Sequence, residues 1–492
     1  MNSGFELQYL IFLVLYSIAL FVLAIFGLHK FFLLYIYNSQ KKRTIEEPPS
    51  PRNWPLVTVQ LPIYNEKYVL KRLIRSIINF DYPKNKLNIQ VLDDSTDSTG
   101  KLAKRMVYFL SGKGFNIEYI RRVNRYGFKA GALEYGLKKS KAEYIAIFDA
   151  DFVPNPDFLN KTLPHLLQPG IGMVQTKWGH INREYSLLTR LQAILLDAHF
   201  LIEHLARYRL GKFFNFNGTA GIWRRQAIID AGGWQHDTLT EDLDLSYRAQ
   251  LAGWKFIFLP DVESPAELPV EINSYKNQQH RWAKGSVQTA LKLMPRIWKS
   301  NFPLSTRMEA LIHLSNNFAY LLMIIPSLFI IPILKFQLAM NWKWPVLVYL
   351  LVFFSATLSI VVYYVTAIED SLGKKWPYIL YVPVLMSLGI GLSINNGKAA
   401  LEALFGYKSD FKRTPKFCVE GKKGTWKKKG YKSAKNYLCL LEFVFAAYFS
   451  YGLIYFLIKG LYVSIPFFLL FQFGFLYLSL SSFYSLRNLV YK

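Results

Sequence analysis

Residues 7–28 (LQYLIFLVLYSIALFVLAIFGL) form an unbroken apolar run long enough to cross a bilayer. A cleaved signal peptide would carry positive charge before such a run and a small-residue cleavage site after it. Here Glu6 precedes the run, and His29, Lys30, Lys41, Lys42 and Arg43 follow it. The run therefore reads as a retained helix with its N-terminus outside and the next segment in the cytoplasm. Residues 45–55 (IEEPPSPRNWP) read as a Pro-rich linker. The pattern then changes. VTVQLPIY, NIQVLDD and EYIAIFDAD are short apolar runs rich in β-branched residues, as buried parallel strands are. Between the first two, Val69, Leu70, Leu73, Ile74, Ile77 and Ile78 recur at helical spacing across 67–79. Strand, helix, strand in alternation predicts an α/β domain.

Beyond residue 305 the long apolar runs return, with spans expected at 309–334, 345–368, 438–458 and 462–486. The connections at 335–344 and near 459 carry few lysines, whereas 407–437 holds eleven lysines and arginines. That basic segment should be cytoplasmic. A single crossing by 378–406 would put it outside. This stretch, with Pro383 and the polar patch Ser393–Lys398, is therefore expected to be interfacial or re-entrant. The expected organisation is an N-terminal transmembrane helix (1–44), a soluble domain (45–305) and a membrane domain (306–492), with five spans in all.

Composition sharpens this. Hydrophobic residues make up 52% of the 492 and aromatics 16%, more than a soluble enzyme carries. The net charge of +26 suits nucleic acid or anionic lipid. Much of the excess is juxtamembrane or in one loop, so membrane lipid is the expected partner and nucleic acid is not. Cys418 and Cys439 are the only cysteines, too few for a disulfide framework or a cysteine zinc site.

Five short patterns carry candidate chemistry. Asp93-Asp94-Ser95 ends the strand NIQVL, where α/β sheets bind ligands, though it is also good helix-capping chemistry. Asp149-Ala150-Asp151 leaves an apolar strand with two carboxylates one residue apart, a pattern suited to Mg²⁺ or Mn²⁺ on a diphosphate, or to a solvated turn. In Thr240-Glu241-Asp242, an ionised carboxylate suits the base that sugar transfer to a hydroxyl requires. In Gln278-Gln279-His280-Arg281-Trp282, the arginine suits phosphate oxygens and the indole a sugar face; taken alone, the pentad equally suits a packed helix. Phe216-Asn217-Gly218-Thr219-Ala220-Gly221 allows close backbone approach to a ligand, and Lys129 is a candidate phosphate contact or a surface lysine.

Together these residues resemble the signature D, DxD, TED and QxxRW of the family 2 glycosyltransferases of the cellulose synthase group. The match runs through Asp93/Asp94, Asp149/Asp151, Thr240-Glu241-Asp242 and Gln278/Arg281/Trp282, with VQLPIYNE, FKAGAL and FNGTAG alongside. It is closest to the cellulose-synthase-like A and C branches, which make mannan and glucan backbones. The family also has a gating loop, FxVTxK. Phe411, Thr414 and Lys416 fit it, with Arg413 in the valine position. The resemblance implies a GT-A nucleotide-binding fold and an inverting, processive synthase of a β-linked, β-1,4 polysaccharide that conducts its product across the membrane. The donor would be UDP-glucose or GDP-mannose, with a lean toward glucose. Single-sugar transfer to a membrane lipid is the alternative. By resemblance, Glu66, Asp93, Asp94, Lys129, Asp149, Gln278 and Arg281 would bind the nucleotide-sugar. Asp149 and Asp151 would hold the metal, and Asp242 with Glu241 would be catalytic. Trp282, Gly218 and Thr219 would meet the acceptor. The family's fused cyclic-dinucleotide domain is not expected.

Overall fold

The computed structural model describes residues 3–339, 344–373, 376–409, 413–426, 429, 431 and 436–490. Seven strands form one sheet: β1 (Val57–Ile63), β2 (Leu87–Asp93), β3 (Ile117–Arg121), β4 (Tyr144–Ile147), β5 (Ile171–His180), β6 (Gly221–Arg224) and β7 (Lys255–Ala266). Their order is β3-β2-β1-β4-β6-β5-β7. β1, β2, β3 and β4 run parallel; β6 is antiparallel to both β4 and β5, so the sheet is mixed. Strand periodicity distributes the core to two faces. Val57, Val59, Leu61 and Ile63 pack with the helix Leu70–Ile78 on one side. Ile145, Ile147, Leu133 and Trp223 form the core on the other. The predicted strands and the 67–79 helix thus appear within a few residues of their expected bounds.

Around this domain lie long apolar helices. The first, Ser3–Gln40, packs against the helices Phe318–Ala339 and Trp344–Leu372. The helices Leu438–Ile458 and Ile465–Val490 pair with each other. Among the described residues, five stretches are long and apolar enough to cross a membrane: 10–40, 318–339, 376–404, 438–458 and 462–485.

One expectation is corrected. The span expected at 309–334 begins later, because 304–315 is a separate helix, Leu304–Ser315. Its buried Glu309 lies 2.8 Å from His29 of the first helix and pairs with Arg207 of the sheet domain (3.0 Å). The stretch expected to be interfacial or re-entrant, 378–406, falls mostly within 376–404, which is long and apolar enough for a span. It is broken into the helices Trp376–Ile379, Tyr381–Gly391 and Ser393–Leu404. Both of its ends touch the sheet domain. At the start Arg190 donates to the Tyr381 hydroxyl (3.0 Å), and at the end Lys284 bonds Glu402 (2.9 Å). The helix Trp344–Leu372 covers the span expected at 345–368.

Candidate active site

The carboxyl ends of β1, β2 and β4 open onto one cleft. Glu66, Asp94, Asp149 and Asp151 line it from these strand ends. Gly218 and Lys129 line it from neighbouring segments, and Glu241 and Asp242 from the start of the helix Glu241–Leu251. The helix Ile272–Lys299 adds Gln278, Arg281 and Trp282. These three lie at i, i+3 and i+4, which places them on one helical face. Thr414 and Lys416 of the basic segment also line the cleft. Phe411 lies outside the described residues.

Two predicted residues sit behind the cleft. Asp93 is buried, and its carboxylate accepts from the Ser95 N–H (2.9 Å) and the Tyr119 hydroxyl (2.6 Å). Its proposed contact with a nucleotide is corrected accordingly: adjacent residues at a strand end point to opposite sides, and Asp94 has the cleft side. Thr219 is likewise buried. Its hydroxyl accepts the Asp149 N–H (2.9 Å), so it fixes the backbone that carries the acidic pair and does not face an acceptor.

The carboxylates are matched by cations. Arg122 grips both oxygens of Asp94. The Lys129 ammonium lies 2.6 Å from Asp149 and donates to the Gly218 carbonyl (2.9 Å). Burial pulls the Lys129 pKa down, but Asp149, Glu241 and Asp242 outweigh it and raise it. Lys416 lies 2.6 Å from Asp151, and Arg413 lies 2.8 Å from Glu66. Burial pushes the Glu66 carboxyl up to about 8 against the pull of Arg413. Arg281 faces the opposite balance: burial lowers it while Glu241, Asp149, Asp242 and Asp151 oppose.

Asp242 stands apart. Burial and the neighbouring Glu241 push its carboxyl up to about 7, with Lys129 opposing. That is near the best value for a base working at neutral pH. A Cβ at Gly218, where φ is +78°, would lie 2.8 Å from the Asp242 Oδ2. A glycine is thus required for the chain to pass the carboxylate. Trp282 is half-buried, backed by Trp178, Leu195, Leu196 and Leu268, so its indole forms a fixed wall.

Some lining residues had no signal in the sequence. The Arg125 guanidinium stacks 3.4 Å from the Tyr64 ring centre. Glu267 receives Arg72 (3.0 Å) and the Phe417 N–H (2.7 Å), anchoring the basic segment at the cleft mouth. These contacts join residues far apart in the chain, which no local pattern marks. Among the described residues, no three His, Cys, Asp or Glu side chains are close enough to hold a metal alone. Asp149 and Asp151 supply two carboxylates, a donor set that would fit a hard divalent ion.

Residues 54–285, the sheet domain with the start of the helix bearing Trp282, match the family described as "Glycosyltransferase like family 2". This stretch of the chain is similar to the family 2 glycosyltransferases. Over 260 residues it is 45% identical to glucomannan 4-beta-mannosyltransferase 2 of Arabidopsis thaliana, covering 51% of this chain and 48% of that protein. It is 41% identical over 300 residues to glucomannan 4-beta-mannosyltransferase 1 of Oryza sativa subsp. japonica, covering 57% and 56%. The chain thus spans about half the length of the curated relatives it matches. A mannosyltransferase from Pyrobaculum calidifontis, solved in complex with GDP-Man and Mn2+, superposes with a TM-score of 0.53 at 23% identity, covering 79% of this chain and all of that one. At that identity the sheet domain shares a fold with it, a GT-A-like mixed α/β sheet.

Proposed function

We propose that this protein transfers mannose from GDP-mannose to the growing end of a β-1,4-linked polysaccharide, with inversion, and passes the product across the membrane. The observation that carries the reading is the convergence of Asp242, the Asp149/Asp151 pair and the Trp282 indole on one cleft. The names of the matched relatives favour mannose over the glucose toward which the motifs lean. The neighbour bound to GDP-Man and Mn2+ supports a guanosine donor and a divalent ion.

In this reading Asp149 and Asp151 would hold Mg²⁺ or Mn²⁺, which would supply positive charge at the leaving diphosphate. Lys129 and Arg281 face the same diphosphate and add positive charge. Glu66 and Asp94 line the nucleotide end of the cleft. Asp242 takes the proton from the acceptor hydroxyl as that oxygen attacks the anomeric carbon in line. Trp282 supports the terminal acceptor sugar, and Gly218 leaves the space for it beside the base. The basic segment shares a face with the catalytic cleft, so the positive-inside rule favours a cytoplasmic position for both.

The test is to incubate membranes containing the protein with GDP-mannose and UDP-glucose separately, with each metal, and to digest the products with linkage-specific hydrolases. Polymer from GDP-mannose, cut by a β-1,4-mannanase, is expected; a single glycolipid would defeat the polymer reading. Asp242→Asn should lower transfer by about a hundred- to ten-thousand-fold while nucleotide binding is kept, because only the base is lost. A variant still transferring near the normal rate would remove Asp242 from that role.

A further inference from the structure

A second cavity lies against the catalytic cleft. Lys129, Leu239 and Glu241 line both. Its other walls come from four separate parts of the chain: Tyr126–Ala130 at the start of the helix Phe128–Lys139, His236–Thr238 just before the TED motif, Gln288 of the helix Ile272–Lys299, and Lys408 with Ser409 after the helix Ser393–Leu404. None of these residues has a role in the transfer reaction above except Lys129 and the shared Glu241.

Its chemistry is specific. The Tyr126 ring is 72% exposed and meets the His236 ring edge-on at 4.6 Å, leaving an aromatic face open. Thr238 is only 7% exposed, yet its hydroxyl has no hydrogen-bond partner among the described residues. Burying a hydroxyl unpaired is costly, so this one is expected to meet a ligand group. Around these sit Lys408 and His236 as donors, Asp237 and Glu241 as acceptors, and Gln288, which takes the Leu239 N–H at 2.9 Å. Asp237 is held 2.7 Å from Lys292. The two carboxylates offset Lys129 and Lys408, so the wall offers a phosphate no excess of positive charge. Donors and acceptors interleaved around an open aromatic face suit a neutral polyol instead.

We propose that this cavity is a second saccharide site, which binds a short β-linked hexose oligosaccharide beside the catalytic cleft. The choice of sugar rests on the function proposed above, and binding is measured without donor so that the two can fail separately. Purified full-length protein in detergent is titrated with β-1,4-mannotetraose by calorimetry and saturation-transfer NMR, in wild type and in a Trp282→Ala background that weakens binding at the catalytic indole. Binding should persist in that background. There Tyr126→Ala should weaken it at least about tenfold, and Thr238→Val about fivefold for one lost hydrogen bond. Tetrasaccharide binding that is lost with Trp282 and unaffected by Tyr126→Ala would overturn the proposal. Displacement by millimolar inorganic phosphate would overturn it too, by making the cavity an anion site. If neither donor supports transfer but Tyr126-dependent binding remains, the transfer reading fails and the saccharide site stands.

Discussion

Asp242 is a carboxylate that holds its proton more tightly than usual because it is buried beside Glu241. In the proposed role of base it works only when ionised. The kcat/KM of the free enzyme should therefore fall as pH drops below about 7 and level off above it, and a pH–rate profile checks this. The same shift acts on stability with the opposite sign. A carboxyl raised in the fold binds its proton better there than in the unfolded chain, so this group's contribution declines as pH rises from about 4 to about 7. Gly218 is coupled to it by space. Gly218→Ala puts a methyl 2.8 Å from the Asp242 Oδ2 at a φ of +78°. Displacing the base by about 1 Å should cost on the order of a hundredfold in kcat with a smaller change in donor binding; steady-state kinetics decide. At this scale the acids and the Arg-Trp pair were legible because the chemistry demands those side chains in that order. Asp93 and Thr219 were not. Which of two neighbouring residues faces a cleft depends on strand register, and a motif does not encode it.

The helix Ile272–Lys299 connects reaction and membrane. One face gives Gln278, Arg281 and Trp282 to the cleft. Another carries Lys276, His280 and Lys284 at i, i+4 and i+8, a ridge of cationic and imidazole groups facing acids of the membrane domain. Lys284 and His280 meet Glu402 at 2.9 and 3.3 Å, and Lys276 meets Glu442 at 2.6 Å with both side chains fully buried. Removing one partner of such a pair leaves a buried charge uncompensated, at a cost of roughly 3–5 kcal/mol, whereas replacing both by apolar groups is often neutral. Lys276→Met and Glu442→Leu should each lower the melting temperature. The double variant should recover most of the loss, and a double-mutant cycle in detergent measures the coupling. The sequence showed the apolar stretches and the helical pentad, since both are local. It could not show that an acid inside a hydrophobic run pairs with a lysine 166 positions earlier.

At the scale of the whole molecule the question is how the chain returns to its catalytic side. Asp370, near the end of the helix Trp344–Leu372, binds Lys41 (3.0 Å) and Tyr37 (2.7 Å), where the first helix enters the sheet domain. After 376–404, Lys284 holds Ser409 (2.9 Å), Arg413 reaches Glu66 and Lys416 reaches Asp151. A segment that leaves and returns to the same domain crosses an even number of times. The kinks between the helices Trp376–Ile379, Tyr381–Gly391 and Ser393–Leu404 would let the 29-residue stretch turn back without a full passage, as we propose. Hydropathy alone counts that stretch as a span; the charge of 407–437 argues otherwise, and the contacts at both ends side with the charge. In a background with Cys418 and Cys439 replaced, Trp376→Cys and Tyr407→Cys should both react with an impermeant maleimide from the catalytic side. Lys459→Cys, in the turn between the last two helices, should react only from the other side. Labelling of positions 376 and 407 from opposite faces would make 376–404 a true crossing. Lys416 would then lie across the bilayer from Asp151, and the cleft would lose the loop that closes its mouth.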